Sequence, residues 1–346
     1  AGRAVDLTGY ELRAGIVDIH GDGFERHMAP RRGALADLRG GVVSLSAELA
    51  SCGITTAVMA QFWSWEGGMR GPDFAERVFD AVAETAPTVP VDLHLQLRLE
   101  THYTDSFARA EAALDRHAIG YVVFNDHLPH DRLAAGRRPK RLTGQALKSG
   151  RNPEAHLALM QALHDRRDAV PAALDGLIAR LAARGIRMGS HDDASPEIRA
   201  AWRARGVPVS EFPETREAAA EARAHGDPII LGAPNVVRGA SHAGKVSARD
   251  LIAKGLCDAL ASDYHYPAPA TAAGIVAGLG LTDAQAWALV SDGPARILGL
   301  SDRGRLETGM RADIAILDTE TKRIEGTLAG GRIAWLTAPL ADRVLG

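Results

Sequence analysis

The chain has 346 residues, 46% hydrophobic and 24% charged, with 40 basic and 43 acidic side chains and a formal charge of −3. This usage excludes a collagen-like, disulfide-stapled or broadly disordered chain, and the length suits one large domain plus a small one. Near-balanced charge gives no global reason for a nucleic-acid or membrane partner, and no apolar run reaches the length of a membrane span.

The chain opens at AGRAVDLTGY, with neither Met nor a charged-then-apolar leader, and a preceding segment is expected. Short apolar, β-branched runs then recur: GIVDIH (15–20), GITTAVMAQF (53–62), VDLHLQLRLE (91–100), IGYVVFNDH (119–127), GIRMGSHDD (185–193), GVPVSEFP (206–213), DPIILGAPN (227–235) and LCDALASDY (256–264). Between them lie Ala-rich amphipathic segments such as PDFAERVFDAVAETA, DSFARAEAALDRH and TREAAAEARAHG. Alternation of eight such units predicts an α/β fold, a distorted (β/α)8 TIM-type barrel over 14–300. No GxGxxG follows the first strand, which weighs against dinucleotide binding. Residues 128–170 are an insertion, looped at first and helical over 154–168. Residues 1–13 and 301–346 are expected to form a small β-rich domain from the two chain ends. Cys52 and Cys257 adjoin apolar runs, so free thiols and a reducing, cytoplasmic compartment are expected.

In such a barrel the C-terminal strand ends share one face. The first run ends in His20 and Asp22, the third in Glu100, the fourth in Asn125-Asp126-His127, the fifth in His191-Asp192-Asp193 and the eighth in Ser262-Asp263. This is a donor set for Zn²⁺, Mn²⁺ or Fe²⁺, enough for two ions per chain, with Glu100 able to bridge. We read His20, Asp22, Glu100, His127 and His191 as ligands, with Asp263 a further ligand or the group that deprotonates water. His191 and Asp263 are the catalytic candidates. Arg26, His27, Arg31 and Arg32 follow the first run, and Arg238, His242 and Lys245 follow the seventh, as an anion site. Gly239-x-x-x-x-Gly244-Lys245 mimics a P-loop, but Val246 replaces the hydroxyl that would bind Mg²⁺. Ser247 and Asp250 form a candidate cap for the helix that follows. The insertion carries Arg132, Arg137, Arg138, Lys140, Arg141, Lys148 and Arg151, a candidate lid over a polyanion. His102, His130 and His265 stand near the mouth as substrate contacts, while His94, His117, His156, His164 and His225 read as structural or solvated.

His20-Gly21-Asp22, a fifth-strand His and an eighth-strand Asp resemble the amidohydrolase superfamily, as do the closing motifs Ser291-Asp292-Gly293-Pro294-Ala295-Arg296 and Gly309-Met310-Arg311-Ala312-Asp313. Most members have His-x-His, and a strand-four Lys that this chain lacks. The segments HGDGFERHMAPR, FNDH, SHDDAS, EFPET, GAPNVVRGASHAGKVSA and LASDY narrow the likeness to the diphosphatases of the carbon–phosphorus lyase pathway. That resemblance implies metal-dependent hydrolysis of ribose 1-methylphosphonate 5-triphosphate to the 5-phosphate and pyrophosphate. Substrate contacts are expected from Glu25, Arg26, His27, Asp192, Asn235, Arg238, His242 and Lys245, with zinc the foremost metal. The partner is then a sugar phosphate rather than nucleic acid or membrane, and a homo-oligomer such as a dimer is expected. The rival readings are hydrolysis of a C–N bond, in a cyclic amide or by deamination, and a non-catalytic barrel used for assembly.

Overall fold

Eight strands pair in parallel and in chain order in a computed structural model that describes residues 4–29, 37–239 and 245–346. They are β2 (Ile16–Gly21), β3 (Ile54–Trp63), β4 (Asp92–Glu100), β5 (Tyr121–Asn125), β6 (Arg187–His191), β7 (Val209–Glu211), β8 (Ile229–Gly232) and β9 (Ala259–Ala261). A single parallel bridge between Gly21 and Asp263 brings the last strand back to the first and closes the barrel. β3 is buried along its whole length, because one face packs into the barrel and the other under helices. The helices Pro72–Thr85, Phe107–Arg116 and Arg216–Ala224 form where the Ala-rich segments predict them. A Cβ on Gly21 would lie 2.7 Å from Asp18 Oδ2 and 2.8 Å from the Tyr266 ring, so closure at this point needs glycine.

The second sheet is antiparallel in the order β1 (Tyr10–Ala14), β10 (Ile314–Asp318), β11 (Ile324–Ala329), β12 (Arg332–Leu336), drawn from both chain ends. It docks away from the mouth, where Thr327 Oγ1 donates to Ala50 O at 2.7 Å and Trp287 Nε1 to Ala14 O at 2.9 Å. At the start of β4, Asp92 accepts from Arg303 Nη1 at 2.5 Å and from Arg311 Nη1 at 3.3 Å. Burial would raise the Asp92 carboxyl, but His94 and Arg303 outweigh it and hold it well below the usual carboxylate range. A depressed carboxylate contributes stability that is present above about pH 4 and lost in stronger acid as the folded value is passed. Asp92→Asn is therefore expected to cost about 1–3 kcal/mol in urea unfolding at pH 7 and to flatten the acid limb of the stability curve. Identical unfolding midpoints would show that the junction does not depend on this charge.

The insertion differs from expectation. Its first part is not looped: helices His130–Ala134 and Leu142–Ser149 precede the helix Pro153–Asp165. Leu128, Leu133, Leu142, Met160 and Leu163 pack with Trp65 into a separate apolar cluster. Those few apolar residues sit among a dense run of cations that hides their helical spacing in the sequence. Arg151 Nη1 ties the insertion to the barrel rim through Trp65 O and Glu66 O, each at 2.9 Å. Cys52 and Cys257 are both free thiols. Among the described residues, no helix is long and apolar enough to cross a membrane.

Candidate active site

Alternate residues of a strand face the same side, and the inward rows of β2 and β4 are polar near the mouth. They carry Asp18, His20 and Asp22, then Gln96, Arg98 and Glu100. Ser262 Oγ donates to Asp18 Oδ2 at 2.5 Å, which fixes the base of the first row against β9. Gln96 Nε2 and the Tyr121 hydroxyl donate to Glu211 Oε1 at 2.8 and 2.6 Å. The other oxygen of Glu211 lies 2.9 Å from His20 Nδ1 and 3.3 Å from His191 Nδ1. Arg98 donates through Nη2 to His191 Nε2 at 2.9 Å and through Nη1 to Asp22 Oδ2 at 3.2 Å. A guanidinium has no acceptor, so His191 presents a lone pair at Nε2 and carries its proton on Nδ1, toward Glu211.

The electrostatics agree with that tautomer. Burial, then the charge of Arg98, lowers the His191 imidazole to about 4, so it is neutral near pH 7. Burial alone would raise the Glu211 carboxyl, but the imidazoles of His20 and His191 outweigh it and hold it well below the usual range. Burial and the neighbouring Asp22 push Asp263 up to about 6, near the pH at which a general base works. Asp192, Phe212 and Asp263 all have left-handed backbones, with φ of 60°, 54° and 55°. Non-glycine residues rarely adopt that region, and three such turns at strand ends mark a rim shaped for function.

The structure brings some of the sequence-derived residues together and separates others. His20 and His191 share Glu211, a residue the strand-end reading passed over although it also ends a strand. Arg98 was likewise passed over, and the polar row Gln96, Arg98, Glu100 at spacing two was its signal. Glu100 and His127 belong to a different group, with Glu66. There the Glu100 carboxylate pairs with His127 Nδ1 and accepts from Trp65 Nε1 at 3.3 Å. Asp22 lies with Arg98, and Glu25 has a buried oxygen without a hydrogen-bond partner among the described residues. Arg26 and His27 both turn to Glu48 on the helix Leu38–Ser51.

A cavity of about 220 Å³ joins the two halves of the expected chemistry, since His191, Asp192 and Asp263 line it together with Asn235, Arg238 and Lys245. Lys245 Nζ is held 2.5 Å from Glu214 Oε1 and 3.5 Å from Asp192 Oδ1. His242, Arg31 and Arg32 lie outside the described residues, as does most of the P-loop-like stretch. Ser247 does stand at the N-cap of the helix Ala248–Ala253, but its hydroxyl makes no capping bond, which corrects the cap read from the sequence.

The residues fit a divalent metal. His20 is fully buried, yet neither ring nitrogen has an aligned hydrogen-bond partner among the described residues. Such orphaned donors are costly unless something else binds them. Imidazole nitrogens with carboxylate oxygens are the ligand chemistry of zinc and its neighbours, and each liganding histidine is usually oriented by a carboxylate, as Glu211 is placed to do.

Comparison with known proteins accords with this geometry. Residues 7–334 match the sequence profile of the Amidohydrolase family. The chain is similar to the alpha-D-ribose 1-methylphosphonate 5-triphosphate diphosphatase of Escherichia coli (strain K12), 32% identical over 336 residues, spanning 93% of this chain and 86% of that protein. Among solved structures it is similar to an amidohydrolase at a TM-score of 0.62 and 13% identity, covering 97% of this chain and 89% of that one. A mutant of atrazine chlorohydrolase TrzN from Arthrobacter aurescens TC1, complexed with zinc and atraton, gives a TM-score of 0.56 at 13% identity, covering 97% and 87%. Likeness at such low identity speaks to the fold alone.

Proposed function

The chain belongs to the amidohydrolase family, and from that premise we propose that this hydrolase cleaves the α–β phosphoanhydride of ribose 1-methylphosphonate 5-triphosphate. The products are the 5-phosphate and pyrophosphate. The observation that carries this reading is the cavity in which Asn235, Arg238 and Lys245 stand beside His191 and Asp263. Cations beside the reacting centre suit a triphosphate, whose charge they would hold, better than a neutral cyclic amide. The similarity to a diphosphatase supports the same substrate class.

Two divalent ions per chain are proposed, zinc first. His20, His191 and Glu211 offer one donor set, and Glu66, Glu100 and His127 a second. Metal bound there would acidify water and draw charge from the phosphoryl oxygens. The chain's own groups supply the rest. Asp263 accepts the proton of the attacking water at its carboxylate. The water oxygen bonds to the α-phosphorus as the bond from that phosphorus to the bridging oxygen breaks. Arg98, paired with Asp22 and beside the His191 Nε2 that a metal would take in its place, puts a permanent positive charge at the barrel mouth. Arg238 and Lys245 hold the charge that passes to the departing pyrophosphate.

The test is hydrolysis of the triphosphate in ¹⁸O-labelled water. The label is expected in the sugar-bound monophosphate, with pyrophosphate released intact and unlabelled in the first turnover. Label in pyrophosphate, or stepwise release of orthophosphate, overturns the assignment of the α-phosphorus. Turnover of a cyclic amide without triphosphate cleavage overturns the substrate class.

A further inference from the structure

A second assembly of imidazoles lies outside this machinery. His102 follows β4, Asp126 follows β5, His130 opens the helix His130–Ala134, and His164 is near the end of the helix Pro153–Asp165. His130 Nε2 lies 3.1 Å from Asp126 Oδ2, and His102 Nδ1 lies 3.4 Å from Asp126 Oδ1. On its other side, His130 Nδ1 meets His164 Nδ1 at 2.8 Å. The ring centroids of His102 and His130 are 4.5 Å apart, and those of His130 and His164 are 5.0 Å apart. One ligand atom each from His102, Asp126 and His130 falls within 4.8 Å of the others.

We propose that His102, Asp126 and His130 bind a divalent cation that clamps the insertion to the barrel. Two imidazoles and one carboxylate are zinc-type donors, with a further position left for water. The three residues come from three separate segments, two on the barrel rim and one in the insertion. Ion binding at their meeting point therefore stabilises the docked insertion over any state in which it lifts away. The Leu128 backbone N–H, which donates to Asp126 Oδ1 at 3.1 Å, orients that carboxylate. The site is separate from the His20, His191 and Glu211 group and does not depend on the reaction proposed above.

The test uses the full chain, stripped with chelator and reloaded with zinc. Metal per chain is counted in the wild type, His130→Gln and Asp126→Asn, and each variant is expected to bind one ion fewer. The same difference is expected when His130→Gln is placed in a His191→Ala, Glu100→Gln background, which separates this ion from both of those proposed for the active site. Limited trypsin digestion of the wild type guards against a misfolded variant. At free zinc about a hundredfold above Kd, linkage slows opening, and hence cutting within 132–151, about a hundredfold. Equal metal content in the wild type and both variants overturns the proposal, as does cleavage of the wild-type insertion at the same rate with and without zinc.

Discussion

Glu211→Gln is expected to lower metal affinity about 10–100-fold and to lower activity with it, although the substitution barely changes shape. Glu211 is fully buried, and its two oxygens serve different neighbours. One accepts from Gln96 and Tyr121, which lock the side chain in place. The other faces the Nδ1 atoms of both His20 and His191. An amide in that position removes the negative charge toward which both imidazoles are aimed. Its NH2 group also turns a donor toward either the Tyr121 hydroxyl or the imidazole N–H. Metal content by elemental analysis and activity over a range of added metal measure the effect. Recovery of activity at high metal would identify Glu211 as the group that orients the two histidines; loss that no metal concentration restores would identify it as a ligand. Unchanged metal content and activity would remove Glu211 from the centre altogether.

The barrel was legible because its signal is periodic: eight apolar runs, each followed by a helix, leave few alternatives for chain topology. The strand-end rule also located His20, His191 and Asp263 at one mouth, since a parallel barrel must gather its C-terminal ends there. Which strand ends touch was not legible. Glu100 and His127 stand on adjacent strands with Trp65 and Glu66 beside them, and this neighbourhood draws them into a group apart from His20. Spacing along the chain carries no information about that partition. Glu211 and Arg98 were missed for another reason. Both sit inside runs that read as ordinary strand, and an inward-facing charge is visible only if alternate residues are counted toward the barrel axis. The pairing of Arg26 and His27 with Glu48 depends on a helix twenty residues further on, and no local pattern announces it. The insertion's first two helices escaped notice because their buried faces are only a few residues wide, whereas the third was expected.

Arg238→Ala is expected to lower kcat/KM for the triphosphate about 10²–10³-fold, by analogy with the loss of one donor to a developing oxyanion, about 2.7–4 kcal/mol. The argument rests on position. Arg238 lines the same cavity as His191 and Asp263, where the departing pyrophosphate would lie. A guanidinium keeps its charge at any working pH and matches two phosphate oxygens at once. Metal content should stay unchanged, because Arg238 belongs to neither of the two candidate donor groups. Lys245→Ala is expected to lower kcat/KM as well, since its ammonium stands in the same cavity beside Glu214 and Asp192. Binding energy gathered on the distal phosphates positions the reacting phosphorus, so the loss should appear in kcat as well as KM. A substrate ending in a single 5′-phosphate has nothing for Arg238 to hold, and should bind equally weakly to the wild type and the variant. Wild-type efficiency of Arg238→Ala on the triphosphate would mean that the leaving group departs through another part of the mouth. The basic insertion beside Trp65 and Glu66 would then be the next place to substitute.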